Sequence, residues 1–367
     1  MRIVQILHDG ERGGVQTLAR MIQEGLAPNG FRIETDYLYP RPGLSARAKL
    51  GHVLSMARLI WRGDFDALIA YQSSASVLVG VVGALAGCRL RVVHQTCMPS
   101  EMPRLLRVLD LIAGTLGLYS ANIVNSASTW AEYARYPARY RRAMVLIEHG
   151  LDAPQPQESR AATRRRFGLP QAQPLLLNVG RVTEQKNQDV LIRALACLPQ
   201  AHLVIAGAGA GAKDDAFHEL AVTLGIDSRL HMLGALQAQD VADLYAATDL
   251  FVFPSIWETF GLAAAEAAMA GMPMVVADLP VLREVLNAGG GEPVTFVAPR
   301  DIEGWISGIG RALAAPPAEY VLANFARNIG RKYSRQRMIE SYLSLFDAHR
   351  QRDRREISGL QPAAEES

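Results

Sequence analysis

Short apolar runs and longer amphipathic stretches alternate along most of the chain. Arg2–Leu7, Phe31–Tyr39, Phe65–Tyr71, Leu90–Gln95 and Ala121–Ser126 each predict a strand. Between them, a Gly-rich turn at Gly13 and Gly14 opens an amphipathic helix, Leu44–Trp61 predicts a second helix, and Val77–Cys88 reads as a core helix. That last run is too short to cross a bilayer. Beyond a Pro/Gln-rich stretch at 153–161 the alternation resumes, with strands at 174–180, 201–207, 229–233, 249–253 and 273–277. Helices are predicted at 187–198, 213–224, 237–247, 260–271, 299–315 and 318–329. This alternation is that of doubly wound parallel α/β sheets. It implies two Rossmann-like domains, 1–152 and 162–333, joined by a linker at 153–161. An amphipathic helix at 334–350 follows, then a charged tail at 351–367 expected to be disordered.

Two domains suit 367 residues of which 49% are hydrophobic. The formal charge of +2 implies no nucleic-acid partner, but it is unevenly spread. Residues 1–150 hold 17 Lys/Arg and 11 Asp/Glu, a net of +6, and the remainder holds 21 and 25, a net of −4. A basic first half favours an anionic membrane surface or an anionic acceptor, or is uneven surface decoration. Three cysteines with no close pair imply no disulfide framework and make the reducing cytosol the default location. MRIVQILHDG reads as a first strand, without the apolar core of a signal peptide.

Candidate chemistry concentrates in the second half. In SIWETFGLAAAEAAMAGMPMVVAD, Glu258 lies in a turn and Glu266 eight residues on, in an Ala-rich helix beginning near Phe260. Continuous helical geometry would separate the two by ~12 Å along the axis and ~80° around it, two depths on one side. Such a pair could hold two parts of a polyhydroxyl ligand; the alternative is a capping acid and a solvated helix residue. Gly261 lets backbone approach a ligand, and the N–H groups from Thr259 through Phe260 to Leu262 suit an anion. Upstream, LLLNVGRVTEQKNQ places Gly180 at a turn, with Arg181 and Lys186 in a strand-to-helix loop. Two cations there suit a diphosphate, or are surface charges in a polar loop.

GRVTEQK together with ETFGLAAAE resembles the signature of the family 4 glycosyltransferases over about residues 1–345, more strongly in the second half. The resemblance implies the GT-B fold: two Rossmann-like domains facing across a cleft, with the C-terminal helix crossing back to the first. The first domain would be the acceptor side and the second the donor side. It implies retaining transfer of a sugar from a nucleoside-diphosphate sugar to a saccharide or lipid-linked acceptor, as in polysaccharide or glycolipid biosynthesis. No metal and no cofactor are implied. Arg181 and Lys186 would neutralise the diphosphate, Glu266 would hold the ribose hydroxyls and Glu258 would contact the transferred sugar. The leaving phosphate would accept the acceptor's proton. A histidine in the place of His94 meets the donor sugar in this family, often through its carbonyl; otherwise His94 is a hydrogen-bonded loop residue. Gly13 and Gly14 would lie over the donor phosphates or the acceptor entrance, and Gly207 and Gly209 would line the nucleotide cleft. Two departures stand out: His149 takes the place of an Asn, and DLPVLREV keeps Glu284 without the usual preceding glycines.

Gly207, Gly209 and Ala212 also satisfy G-x-G-x-x-A after a strand, but no acid ends the next strand, as a dinucleotide fingerprint requires. Asp64 and Asp66 form a D-x-D that reads as a turn before the Phe65–Tyr71 strand, with metal binding as the alternative. No Cys-x-x-Cys, His pair at metal-ligand spacing, nucleophile elbow or P-loop occurs. The expected protein is therefore a cytoplasmic sugar-nucleotide transferase, peripheral on the inner face of a membrane. The rivals are a sugar-nucleotide epimerase, a non-catalytic sugar-nucleotide-binding subunit and an NAD(P) oxidoreductase.

Overall fold

The computed structural model describes all residues except 11–12, 42, 210–211, 291–292 and 359–367, and the side chains of 212–213 and 352–358. The chain divides into two compact units, Met1–Gly150 with Ser334–Ser367, and Leu151–Tyr333.

In chain order the first unit runs β1 (Arg2–Asp9), α1 (Gly14–Leu26), β2 (Arg32–Tyr39), α2 (Ala46–Arg62), β3 (Ala67–Tyr71), α3 (Ser73–Leu85) and β4 (Leu90–His94). It continues with α4 (Arg104–Thr115), β5 (Ala121–Val124), the short α5 (Ala127–Glu132) and α6 (Ala138–Arg141), and β6 (Met144–Leu146). The second unit runs α7 (Arg160–Arg166), β7 (Leu175–Val179), α8 (Asp189–Ala196), β8 (His202–Ala206), α9 (Ala212–Thr223), β9 (Leu230–Gly234) and α10 (Ala238–Ala247). Then come β10 (Leu250–Phe253), α11 (Leu262–Met269), β11 (Met274–Ala277), α12 (Pro280–Asn287), β12 (Val294–Val297), α13 (Ile302–Ala314) and α14 (Glu319–Lys332). The last helix, α15 (Arg335–Ser358), belongs to the first unit.

Each unit holds one six-stranded sheet, ordered β2-β1-β3-β4-β5-β6 and β12-β11-β10-β7-β8-β9. Every pairing between named strands is parallel. Strands covered on both faces must be apolar throughout, and β3, β10 and β11 are buried at every position. Asp66 belongs to the turn before β3: its carboxylate accepts the Arg2 N–H at 2.6 Å, and its own N–H donates to the Arg2 carbonyl.

In the first unit, α4 is fixed by a buried acid. Asp110 is fully buried and accepts from Tyr140 Oη (2.6 Å), Tyr119 Oη (3.0 Å) and Gln95 Nε2 (3.2 Å). Burial pushes its carboxyl up, and the three donors offset part of that. Helix α15 packs against α1, with Arg335 2.7 Å from Glu24. It runs to Ser358, so the expected disordered tail does not begin at 351; residues 359–367 lie outside the described residues. Neither β12 nor α4 was expected from the sequence. Among the described residues no helix is long and apolar enough to cross a membrane.

Candidate active site

The second sheet changes direction between β7 and β10. From β7 the chain winds outward to β8 and β9, then returns beside β7 as β10 and winds the other way. Ligands of open α/β sheets bind beyond the carboxyl ends of strands at such a point. Both candidate loops leave from it, the one carrying Arg181 and Lys186 after β7 and the one carrying Glu258 after β10.

The two loops are fastened to each other. The Ile256 N–H donates to the Gln185 carbonyl (2.8 Å), and Gln185 Nε2 donates to the Trp257 carbonyl (3.0 Å). Asn187 has φ 54°, a left-handed conformation that Asn tolerates better than most residues. From it, Nδ2 reaches the Pro254 and Pro299 carbonyls at 3.1 and 2.7 Å. Gln188, fully buried, donates to the Arg181 carbonyl at 2.9 Å. Lys186 is thereby aimed at Glu258: Nζ lies 2.5 Å from Oε1 and 4.8 Å from the centre of the Phe253 ring. Both side chains are largely buried, 16% and 9% exposed. Arg181 is exposed and has no ion-pair partner among the described residues.

The glycines have steric reasons. The Gly180 N–H donates to the Ala206 carbonyl and the Val182 N–H to the Ala208 carbonyl, so the turns after β7 and β8 run against each other. A Cβ on Gly207 would overlap the Gly180 carbonyl, and one on Gly209 would overlap the Asp214 carboxylate. Gly180 has φ 155° and lies beside the Lys186 stem. The expected G-x-G-x-x-A turn is thus a close-approach device; its positions 210–211 and the Ala212 side chain lie outside the described residues.

Continuous helical geometry from Glu258 to Glu266 does not hold. Helix α11 starts at Leu262, and Gly261 before it is left-handed, φ 87°. A side chain there would also press on Leu282. The carboxylates therefore do not share a helix face: Glu258 pairs with Lys186, while Glu266 Oε2 lies 3.2 Å from Tyr245 Oη. Burial pushes the Glu266 carboxyl up to about 7, partly offset by the Tyr245 hydrogen bond. Glu266 is therefore not a solvated helix residue and Glu258 is not a capping acid. Gly261 as N-cap gives α11 no side-chain cap, and among the described residues no side chain accepts from its first N–H groups, an arrangement that suits an anion. Phe260 is buried and meets Tyr333 edge-on at 5.1 Å.

In the first unit His94 ends β4, but its imidazole is buried at 3% exposure. It stacks on Tyr71 at 4.5 Å and lies 3.2 Å from Tyr342 Oη through Nε2. Burial first, and His149 nearby, bring its pKa down to about 3. The side chain is a neutral core group and not an accessible acid or base, so a contact from His94 to a donor sugar would be made by its backbone carbonyl. His149 is also buried, its Nε2 2.9 Å from Asn125 Nδ2. Gly13 precedes α1 in extended conformation with no side-chain cap, and Gly14 is the first residue of that helix. The sequence did not single out Asn187, Gln188, Tyr245 or Phe253. The Asn that follows Lys186 was the available signal, as the residue most tolerant of a left-handed turn apart from Gly.

Each unit is thus a doubly wound parallel sheet, and the second carries paired charges at its switch point. Residues 159–329 match the family described as glycosyl transferases group 1. The chain is 37% identical over 166 residues to a D-inositol 3-phosphate glycosyltransferase of Mycolicibacterium smegmatis, covering 44% of this chain and 37% of that one. It is 30% identical over 195 residues to an uncharacterized glycosyltransferase of Methanocaldococcus jannaschii, covering 52% and 48%. The chain thus spans less than half the length of these relatives. Among solved structures, Anabaena HepE in complex with UDP and glucose matches with a TM-score of 0.80 at 18% identity, covering 95% of this chain and all of that one. Sucrose-phosphate synthase from Thermosynechococcus elongatus matches with 0.78 at 19% identity, covering 95% and 99%.

Proposed function

We propose that the protein is a retaining, metal-independent transferase that moves a sugar from a nucleoside-diphosphate sugar to a saccharide or lipid-linked acceptor. The observation that carries this is the Lys186–Glu258 pair at the β7/β10 switch point, beside an uncapped helix start. Breaking a sugar–diphosphate bond develops negative charge on the leaving phosphate and positive charge at the anomeric carbon. Lys186, Arg181 and the open N–H groups of α11 are placed to stabilise the first. Lys186 has three donors, so it can keep Glu258 while it takes a phosphate oxygen. Glu258, held by that ammonium, orients the sugar, and Glu266 accepts from the ribose hydroxyls. The leaving phosphate takes the acceptor's proton on the face it vacates, so no side chain need act as nucleophile. HepE is described with UDP and glucose, and we carry a uridine diphosphate donor over to this chain as the first to try.

The test is release of nucleoside diphosphate from a panel of sugar nucleotides, with saccharide and lipid-extract acceptors and with EDTA. Acceptor-dependent release that survives EDTA, with a product of unchanged anomeric configuration by NMR, supports the reading. Donor turnover without any acceptor would make the protein an epimerase or hydrolase.

A further inference from the structure

The first sheet also changes direction, between β1 and β3. From β1 the chain goes to β2 on one side, then returns as β3 on the other and winds away through β4, β5 and β6. Open α/β sheets bind ligands beyond the carboxyl edge at such a point. His8, next to last in β1, and Gln72, which follows β3, lie on that edge. The His8 N–H donates to Gln72 Oε1 at 3.0 Å, so a side chain ties the two strand ends together. Gln72 holds φ 70° and ψ 149°, a backbone conformation that glycine alone adopts freely. Among the described residues, two other than glycine have a positive φ, Gln72 and Asn187. Asn187 belongs to the Lys186 loop, at the switch point of the second sheet. Strain of this kind persists where its surroundings impose it, and it gathers at ligand sites.

The half-buried imidazole of His8 is held in place. Nδ1 lies 2.8 Å from Ser74 Oγ at the start of α3, and Tyr39 at the end of β2 meets the ring edge-on, centroids 4.9 Å apart. His8 Nε2 and Gln72 Nε2 have no hydrogen-bond partner among the described residues. Burial lowers the ring's pKa from 6.5; Asp9 opposes this and Lys49 adds to it. The ring is therefore neutral at pH 7, with Nε2 left to donate or accept according to tautomer, beside an amide that donates. Asp9 is itself engaged by Gln16, whose Nε2 donates to its carbonyl and to Oδ1 at 3.1 and 3.3 Å. The charges acting on the ring are thus one acid and one lysine. That balance suits a hydroxyl group, which both donates and accepts, and not a phosphate, which calls for cations.

We propose that His8 and Gln72 bind hydroxyl groups of an uncharged saccharide at the switch point of the first sheet. The contacting atoms are His8 Nε2 and Gln72 Nε2, and Ser74 is a positioning residue that fixes the ring through Nδ1. The role of that saccharide as the acceptor rests on the transferase reading above; its binding involves residues of the first unit alone.

Saturation-transfer NMR with the methyl glycosides of glucose, galactose, mannose and N-acetylglucosamine, beside glucose 6-phosphate, tests it. Wild type shows transfer to at least one methyl glycoside, and the phosphate brings no gain. His8→Phe and Gln72→Gly each weaken that binding about tenfold. Gln72→Gly keeps wild-type melting, because glycine takes this backbone conformation without strain, so lost contact is separated from lost fold. Ser74→Ala weakens binding about threefold, and Ser74→Thr, which keeps the hydroxyl, restores it. Titration of the same variants with uridine diphosphate reads the donor site: its affinity is unchanged in all of them. Failure of the donor reading would appear there, in wild type, and not in the saccharide measurement. Equal saturation transfer in wild type, His8→Phe and Gln72→Gly would overturn the proposal. So would transfer to none of the glycosides, or tighter binding of glucose 6-phosphate than of methyl glucoside.

Discussion

Lys186 Nζ and Glu258 Oε1 are 2.5 Å apart although 72 residues separate them in the chain. They meet because β7 and β10 are neighbours, with Leu176 opposite Leu250 and Leu177 opposite Phe251. The pair leaves a buried carboxylate dependent on one ammonium, and the two cations of the loop differ in what else they hold. Lys186→Ala should cut sugar-nucleotide affinity by about ten- to a hundredfold through the lost charge-assisted bond. It should also destabilise the fold by ~1–3 kcal/mol, because Glu258 is left unpaired. Arg181 is exposed, so Arg181→Ala should weaken affinity while moving stability by less than about 0.5 kcal/mol. Calorimetric titration and denaturant midpoints read both. Equal stability loss in the two variants would contradict the pairing.

Glu266 gives a pH dependence. Its folded pKa, about 7, lies above the ordinary 4.5. An acid raised on folding costs stability as it ionises, so its contribution falls as pH rises from about 4.5 through 7. The melting temperature of wild type relative to Glu266→Gln should therefore decline over that window. Binding runs the other way: a carboxylate accepts ribose hydroxyls better than a carboxylic acid does, so affinity should rise between pH 6 and 8. Sugar nucleotides suit this titration because their diphosphate is fully ionised throughout the range. A flat affinity profile, or one unchanged in Glu266→Gln, would contradict the ribose assignment.

The buried histidines act in acid. His94 at about 3 and His149 at about 4 both lie below the ordinary 6.5. The neutral ring is favoured by folding, so this stability is present above pH 6.5 and is lost as pH falls toward those values. His94→Gln should flatten the acid limb of a stability-versus-pH curve. It should leave the pH dependence of transfer near neutrality unchanged, because the ring has no proton to exchange there. Transfer that follows a His94 titration near pH 6.5 would restore it to the chemistry.

Gly207 admits no side chain. Gly207→Ala would drive a methyl into the Gly180 carbonyl. Backbone cannot yield as a flexible side chain can, so the loss should be at least about 1–3 kcal/mol. It should carry a loss of donor binding with it, since the displaced turn carries Arg181. Gly209→Ala meets the Asp214 carboxylate instead, which can rotate away, and should cost less. Denaturant unfolding of the two variants checks the order.

Much of this was legible in the chain. Buried parallel strands such as LFVF and MVVA announce themselves because both faces are covered and no polar position interrupts them. The Arg181/Lys186 loop and the two glutamates stood out as candidates by residue type and spacing, and the structure brings Lys186 and Glu258 together. What could not be read is how those groups are held. The left-handed Gly261 ends any helical relation between Glu258 and Glu266, and the partners Lys186 and Tyr245 come from strand and helix neighbours far along the chain. The histidine at the end of β4 looked available because strand ends usually are, but it is enclosed by Tyr71 and by Tyr342 from α15, a contact no local pattern reveals. Helix α4 went unnoticed because its apolar residues do not follow a single buried face.

Sugar-nucleotide binding at the switch point is tested most directly by calorimetric titration of wild type and Lys186→Ala with a panel of sugar nucleotides and NAD(P), in EDTA. The expected result is one sugar nucleotide bound by wild type without metal and at least about tenfold more weakly by the variant. Binding of NAD(P) with no sugar nucleotide bound, or equal affinity in the two proteins, would contradict the assignment of Lys186 and its loop to the diphosphate.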